Sequence, residues 1–159
     1  MTFPAVTELL PHRGPAVLID RVLSHDARQT TCLVRVDDSR LFARADGFVP
    51  AWIGLEYMAQ TVAAHGGLLD RGSASRPRPG LFLGSRRLTF TVAGFAPGTV
   101  LEASARHLRG SAHMMAFDCS LRSPGGTEVL VSGILNVYLV DSFEALGADF
   151  LGQDRDDAE

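Results

Sequence analysis

The chain has 159 residues, with 15 Lys+Arg against 18 Asp+Glu, a net charge of −3 when histidine is neutral. That length suits one domain, and with 46% hydrophobic and 21% charged residues a chain of this size buries roughly 70% of its unfolded surface. The acidic balance disfavours nucleic acid, which needs clustered Lys and Arg, and no apolar run approaches the ~18 residues of a membrane-spanning helix.

The opening MTFPAVTELLPHRG lacks the basic-then-apolar order of a secretion signal, so a cytoplasmic location is expected. Thr7 is placed to cap a brief helix that Pro11 and Gly14 interrupt. Ala16 to Leu23 and Thr30 to Val36 are short, rich in branched residues and read as a strand pair joined by the polar turn SHDARQ. Pro50 then opens AWIGLEYMAQTVAAHGGLL, whose Ala, Leu, Met, Glu and Gln favour a helix of roughly 28 Å. That helix is apolar almost all round, so it is expected to run through the core. Arg71 to Gly80 is a loop of Arg, Pro, Gly and Ser, and four strands follow: LFLGSRRLTFTV, TVLEASARHLR, HMMAFDCSLRS and TEVLVSGILNVYLV. The turn signals between them are GFAPG, Gly110 with Ser111, and SPGG. The order predicts an α+β domain over residues 1–150, a curved antiparallel sheet around one long central helix, with 151–159 a frayed acidic tail. Cys32 and Cys119 lack metal or disulfide-framework spacing and read as buried small hydrophobes.

Glu56 stands out, because a carboxyl group in an apolar helix costs free energy unless it is paired, neutral or at the wet rim near the helix start. Gln60, four residues on, shares its face and can hydrogen-bond the carboxyl group or its ligand. His12, in a kinked Pro-His-Arg-Gly segment, either projects into a cavity or stays a polar loop residue. His25 is expected in solvent, His65 at the rim or in the core on a different side of the helix from Glu56, and His107 and His113 at the surface beside a hairpin turn. Arg86 and Arg87, with Arg76 and Arg78, form a basic patch suited to an acidic or phosphorylated partner, or are ordinary solvated charges. Glycine-rich phosphate loops, nucleophile elbows and zinc-hydrolase motifs are absent.

LLPHRGPAVLIDRVL, GLEYMAQ, LFLGSRRLTF with APGTVL, and AFDCSL together resemble, in order, the hot-dog fold beta-hydroxyacyl-acyl carrier protein dehydratases. VPAWIGLEYMAQ is similar in particular to a divergent branch, the predicted 3-hydroxyacyl-carrier-protein dehydratases found with aryl polyene gene clusters. The resemblance implies dehydration of 3-hydroxyacyl thioesters to trans-2-enoyl thioesters in fatty acid or aryl polyene-type biosynthesis. It implies no metal or organic cofactor, a homodimer joined edge to edge, and an acyl carrier protein that meets Arg86 and Arg87. In the main family the helix acid works with a histidine from a Gly-His-Phe-Pro segment, and the corresponding LFARADGFVPAW has none.

Eliminating water needs a base for the α-proton and an acid for the hydroxyl. Glu56 matches the family's carboxyl position, and burial is expected to raise its pKa so that it donates a proton. His12 is the first candidate for the base and Asp46 the second, with Glu56 acting in both roles as a third option. The helix start at Trp52, Ile53 and Gly54 is expected to aim N–H groups at the thioester oxygen, and Gln60, Asp46 and Gly84 complete the expected substrate contacts. Two other readings share the same acyl tunnel: a hot-dog thioesterase in which the acid activates water, and a noncatalytic acyl-binding or dimerising subunit.

Overall fold

A computed structural model describes residues 2–37, 41–71, 78–111 and 113–140. The expected tail at 151–159, the end of the 1–150 domain beyond 140, and Arg76 lie outside the described residues.

The first helix, α1 (Val6–Leu9), has Ala5 at its N-cap and no side-chain cap. Thr7 therefore does not cap it; the burial of Val6 and Leu9 holds the turn in place. A 3-10 turn at Gly14–Ala16 follows, so the first strand begins later than expected, as β1 (Arg21–His25), paired antiparallel with β2 (Gln29–Arg35). Asp26 organises the turn between them by accepting from the backbone N–H groups of Arg28 and Gln29.

The central helix opens with a 3-10 turn at Ala51–Ile53 and continues as α2 (Gly54–Leu69). A two-residue strand, β3 (Val49–Pro50), pairs with β5 (Gly94–Phe95) just before it, a contact no local pattern announced. The remaining strands are β4 (Gly80–Phe90), β6 (Val100–Ser111), β7 (Met114–Arg122) and β8 (Val129–Leu139). Six of them form one antiparallel sheet in the order β1-β2-β6-β7-β8-β4. Bulges in β1, β4, β6 and beside Leu121 add local twist, which curves the sheet.

The sheet wraps α2, which packs mainly on β2, β6 and β7. Alternation does the sorting: Leu101, Ala103 and Ala105 of β6 point inward while Glu102, Ser104 and Arg106 face outward. Small residues on β6 leave room for the helix. Gly54 has the same purpose, since a Cβ there would stand 2.7 Å from Leu121 Cδ1. Gly67 accepts α1 closely, since a Cβ there would stand 2.5 Å from the Leu9 carbonyl oxygen. Cys32 and Cys119 are both buried and free; burial pushes the Cys32 thiol up to about 12. The architecture is a long helix enclosed by a curved antiparallel sheet, the α+β hot-dog arrangement the sequence predicted.

Candidate active site

Glu56 lies in the first turn of α2, and Gln60, one turn on, is fully buried. The Gln60 side chain uses its whole amide. Its Oε1 accepts the Leu18 N–H at 2.8 Å, while its Nε2 donates to the Ala16 carbonyl at 2.7 Å and to Glu56 Oε1 at 2.9 Å. The Leu18 donor fixes which end of the amide is oxygen, so the nitrogen must face Glu56. Gln60 thus ties the helix to the segment after the 3-10 turn at Gly14–Ala16 and sets the carboxyl orientation.

His12 comes from the other direction. The packing of α1 on Gly67 directs Pro11 and His12 along the helix, and His12 Nε2 reaches Glu56 Oε1 at 3.4 Å. Arg13 anchors this segment by donating to the carbonyls of Leu10 and His12. His12 and Glu56 are each about one-third exposed, and His12 Nδ1 is buried without a partner among the described residues. Both contacts to the carboxyl group converge on Oε1, leaving Oε2 with neither.

The ionisation of Glu56 differs from the expectation. Burial does push its carboxyl up, but hydrogen bonds from His12 and Gln60, together with the charge of His12, outweigh that cost and hold it below the ordinary value. The resting group is a carboxylate, not a stored acid.

Glu56 and His12 open into a groove of about 470 Å³ along α2. Ala59, Ala63 and Gly66 form its helical wall, with Met115, Val137 and Leu139 from the sheet opposite. Its lining also includes His65, His107 and Phe117, and the Asp70–Arg78 ion pair, 3.3 Å. His65 sits in the core, one of its two expected positions, but lines the same groove as Glu56 instead of pointing to a different side, and His107 is not the surface group the sequence suggested. Its Nε2 is buried and its ring packs on Phe117. The β6–β7 register is regular through His107↔Phe117 and slips only beyond it, so the alternation that turns Ala103 and Ala105 inward carries on to His107. His25 is half-buried and bonded to Thr30, also against expectation, whereas His113 is exposed.

Other expected contacts lie elsewhere. Asp46 is exposed in a turn, where it accepts from Phe48 N–H and stands 3.8 Å from Arg44. Trp52 is exposed and Ile53 buried, and the Gly54 N–H is committed to the carbonyls of Ala51 and Trp52, so it is not free to face a thioester. Gly84 lies in β4, and Arg86 and Arg87 are exposed on the same strand, with Arg87 at φ 54° beside a bulge. None of these seven residues lines the groove. A larger depression of about 640 Å³ lies on the opposite, polar face of the sheet, where Arg106 and Asp118 already bond each other at 2.8 Å. It holds no acid–base pair like Glu56 and His12. Among the described residues no group of three or more His, Cys, Asp and Glu is arranged to hold a metal ion.

A long helix enclosed by a curved antiparallel sheet, with a carboxylate and an imidazole in contact on the lining of an apolar groove, defines a hot-dog protein with one candidate acid–base site. The chain belongs to the ApeP-like family, described as ApeP dehydratase, which matches residues 4–148. It is 32% identical over 139 residues to the 3-hydroxyacyl-[acyl-carrier-protein] dehydratase FabZ of Chlamydia caviae, covering 84% of this chain and 88% of that protein. Among solved structures it is similar to the dehydratase heterocomplex ApeI:P from Xenorhabdus doucetiae, with a TM-score of 0.82 and 27% identity, covering 91% of this chain and 97% of the matched one. An uncharacterised protein of Pyrococcus horikoshii, TM-score 0.61 and 12% identical over 90% of this chain and 99% of that one, shares the fold alone. The protein is a dehydratase of the hot-dog class.

Proposed function

We propose that the protein removes water from 3-hydroxyacyl thioesters carried on an acyl carrier protein, with Glu56 and His12 as the catalytic pair. The observation that carries this is the 3.4 Å contact between two proton-transfer groups on the lining of an apolar groove. The roles differ from those the sequence suggested. Glu56 Oε2, as carboxylate, takes the C2 proton as the C2=C3 bond forms. The C3–O bond breaks as protonated His12 gives its Nε2 proton to the hydroxyl, which leaves as water. The proton on Glu56 then passes to His12 across their contact, restoring both groups. Gln60 positions the carboxylate.

The substrate's acyl chain lies along Ala59, Ala63 and Gly66, and Arg86 and Arg87 face the carrier protein. β4 pairs only with β8 among the described residues and exposes Phe82, Leu83, Leu88 and Phe90. Such an edge suits a second hot-dog protomer. A second copy of this chain is the expected partner, and because the matched Xenorhabdus assembly is a heterocomplex, a related hot-dog chain is the alternative. Light scattering of the protein alone decides between a dimer and a monomer awaiting another subunit. No helix among the described residues is long and apolar enough to cross a membrane.

Mass spectrometry of a 3-hydroxyacyl carrier protein after incubation tests the reaction. Loss of one water supports it, whereas a freed carrier thiol identifies a thioesterase and no change a noncatalytic acyl binder.

A further inference from the structure

The outer face of the sheet carries a pattern that the groove and its chemistry leave unused. On β6 alternation turns Glu102, Ser104 and Arg106 outward, and on β7 it does the same for Asp118, Ser120 and Arg122, while their neighbours along each strand face the helix. The register sets these residues side by side: Arg106 opposite Asp118, Ser104 opposite Ser120, and Glu102 opposite Arg122. The middle row continues across the sheet, with Thr31 of β2 beside Ser104 and Ser132 of β8 beside Ser120. Short hydroxyl side chains thus floor the depression of about 640 Å³, and longer charged side chains stand on both sides of it.

The four charges form a checkerboard. Along β6 the order is Arg106 then Glu102, and along β7 it is Asp118 then Arg122, so each charge has its opposite both along its own strand and on the next one. One pair is closed within the chain, with Arg106 and Asp118 bonded at 2.8 Å and both side chains about half exposed. The other is open. Arg122 donates to the Thr127 carbonyl at 2.5 Å instead, and half-buried Glu102 has no hydrogen-bond or ion-pair partner among the described residues.

A square of alternating charge is its own complement. A second copy turned over about a two-fold axis along the strands, midway between β6 and β7, sets its Arg106 over Asp118 and its Arg122 over Glu102. An axis along the hydroxyl row also sets each arginine over an acid. Crossing the two sheets at right angles would instead put arginine over arginine, so the charges select the aligned packing that stacked sheets favour. The facing hydroxyl rows are bridged by water, as polar interfaces commonly are.

We infer that this face docks a second copy of the chain, sheet against sheet, through Glu102, Arg106, Asp118 and Arg122. The contact brings the same patch of both copies together. It is separate from the β4 edge, so it doubles whatever assembly that edge forms, and it does not depend on the reaction assigned to the groove.

Sedimentation velocity of the full chain over a concentration series tests this. At ~50 mM salt the mass is expected to double with concentration, and at ~500 mM the dissociation constant is expected to rise about tenfold or more, because salt screens charges on an exposed face. Two variants separate this face from the β4 edge. Glu102→Arg with Asp118→Arg makes the four charges all positive, and Arg106→Glu with Arg122→Glu makes them all negative. Each variant alone is expected to lose the doubling step, and an equimolar mixture of the two to regain it, which a merely damaged sheet cannot do. Thermal melting confirms that both are folded, and the salt series on the unmodified protein stands without them. A doubling that is absent from the unmodified protein, indifferent to salt, kept by either folded variant alone, or not regained in the mixture overturns the inference.

Discussion

Glu56 and His65 are both ionisable side chains of the apolar helix α2 and both line one groove, yet they meet desolvation in opposite ways. At Glu56, donors from His12 and Gln60 and the charge of His12 overcome burial and keep the group charged. At His65, burial dominates, reinforced by His25 and His107, and drives the imidazole down to about 4, so it stays neutral at pH 7. A buried group keeps its charge where donors converge on it, and gives the charge up where its only strong partner is a neutral hydroxyl. The first group is suited to moving protons and the second to holding a neutral ring still.

The largest expected effect breaks the charged pair. Glu56→Gln and His12→Asn are each expected to lower kcat by about 10²–10⁴-fold. Because the two groups form one unit, the double variant should be little worse than either single one. Steady-state rates of the four proteins test this, and full additivity would separate the residues.

Gln60→Ala is expected to come next. It strands the Leu18 N–H and the Ala16 carbonyl in the interior at ~1–3 kcal/mol each. It also removes a donor that lowers the Glu56 pKa, so the acid limb of the pH–rate profile should move to higher pH. An unmoved limb would show that Gln60 is only structural.

Gly67→Ala pushes a Cβ against the Leu9 backbone, which cannot swing aside as a side-chain tip can. A loss of about 1–3 kcal/mol is expected, with a larger fall in kcat than in stability would predict, because α1 leads into His12. Denaturant melts beside kinetics measure both.

The neutral group leaves stability at pH 7 untouched and acts in a different pH window. The folded pKa of His65 is depressed, so the unfolded chain takes up its proton first, starting near the ordinary ~6.5. Stability is therefore fully present above that value and falls by up to roughly 3 kcal/mol as the pH drops towards about 4. The Glu56 contribution is lost only below the ordinary carboxylate range, since that pKa is lowered as well. Urea midpoints at a series of pH values separate the two windows, and His65→Phe should flatten the upper one alone.

Reading residues in chain order was enough for the architecture, because period-2 alternation in the last four strands and a continuous apolar helix leave few ways to bury the core. It was also enough to single out Glu56 and Gln60, four residues apart on one face, and to place His12 beside them through the Pro-His-Arg resemblance. It misjudged the helix start: Trp52 to Gly54 offered backbone donors on paper, but the 3-10 turn uses the Gly54 N–H internally and seats Gly54 against Leu121. His107 was misjudged for a different reason. Its neighbours mark a hairpin, but the strand keeps its register through His107↔Phe117, so the alternation that turns Ala103 and Ala105 inward turns His107 inward too.

What the linear order cannot hold is any quantity set by groups that meet from distant parts of the chain. The sign of the Glu56 shift depends on His12 and Gln60 arriving at one oxygen, and the neutrality of His65 on the surroundings that Thr30, His25 and Phe117 make. Hydrophobic periodicity is local and survives in a string of letters; a balance of desolvation against hydrogen bonds comes into being only when the packed segments touch.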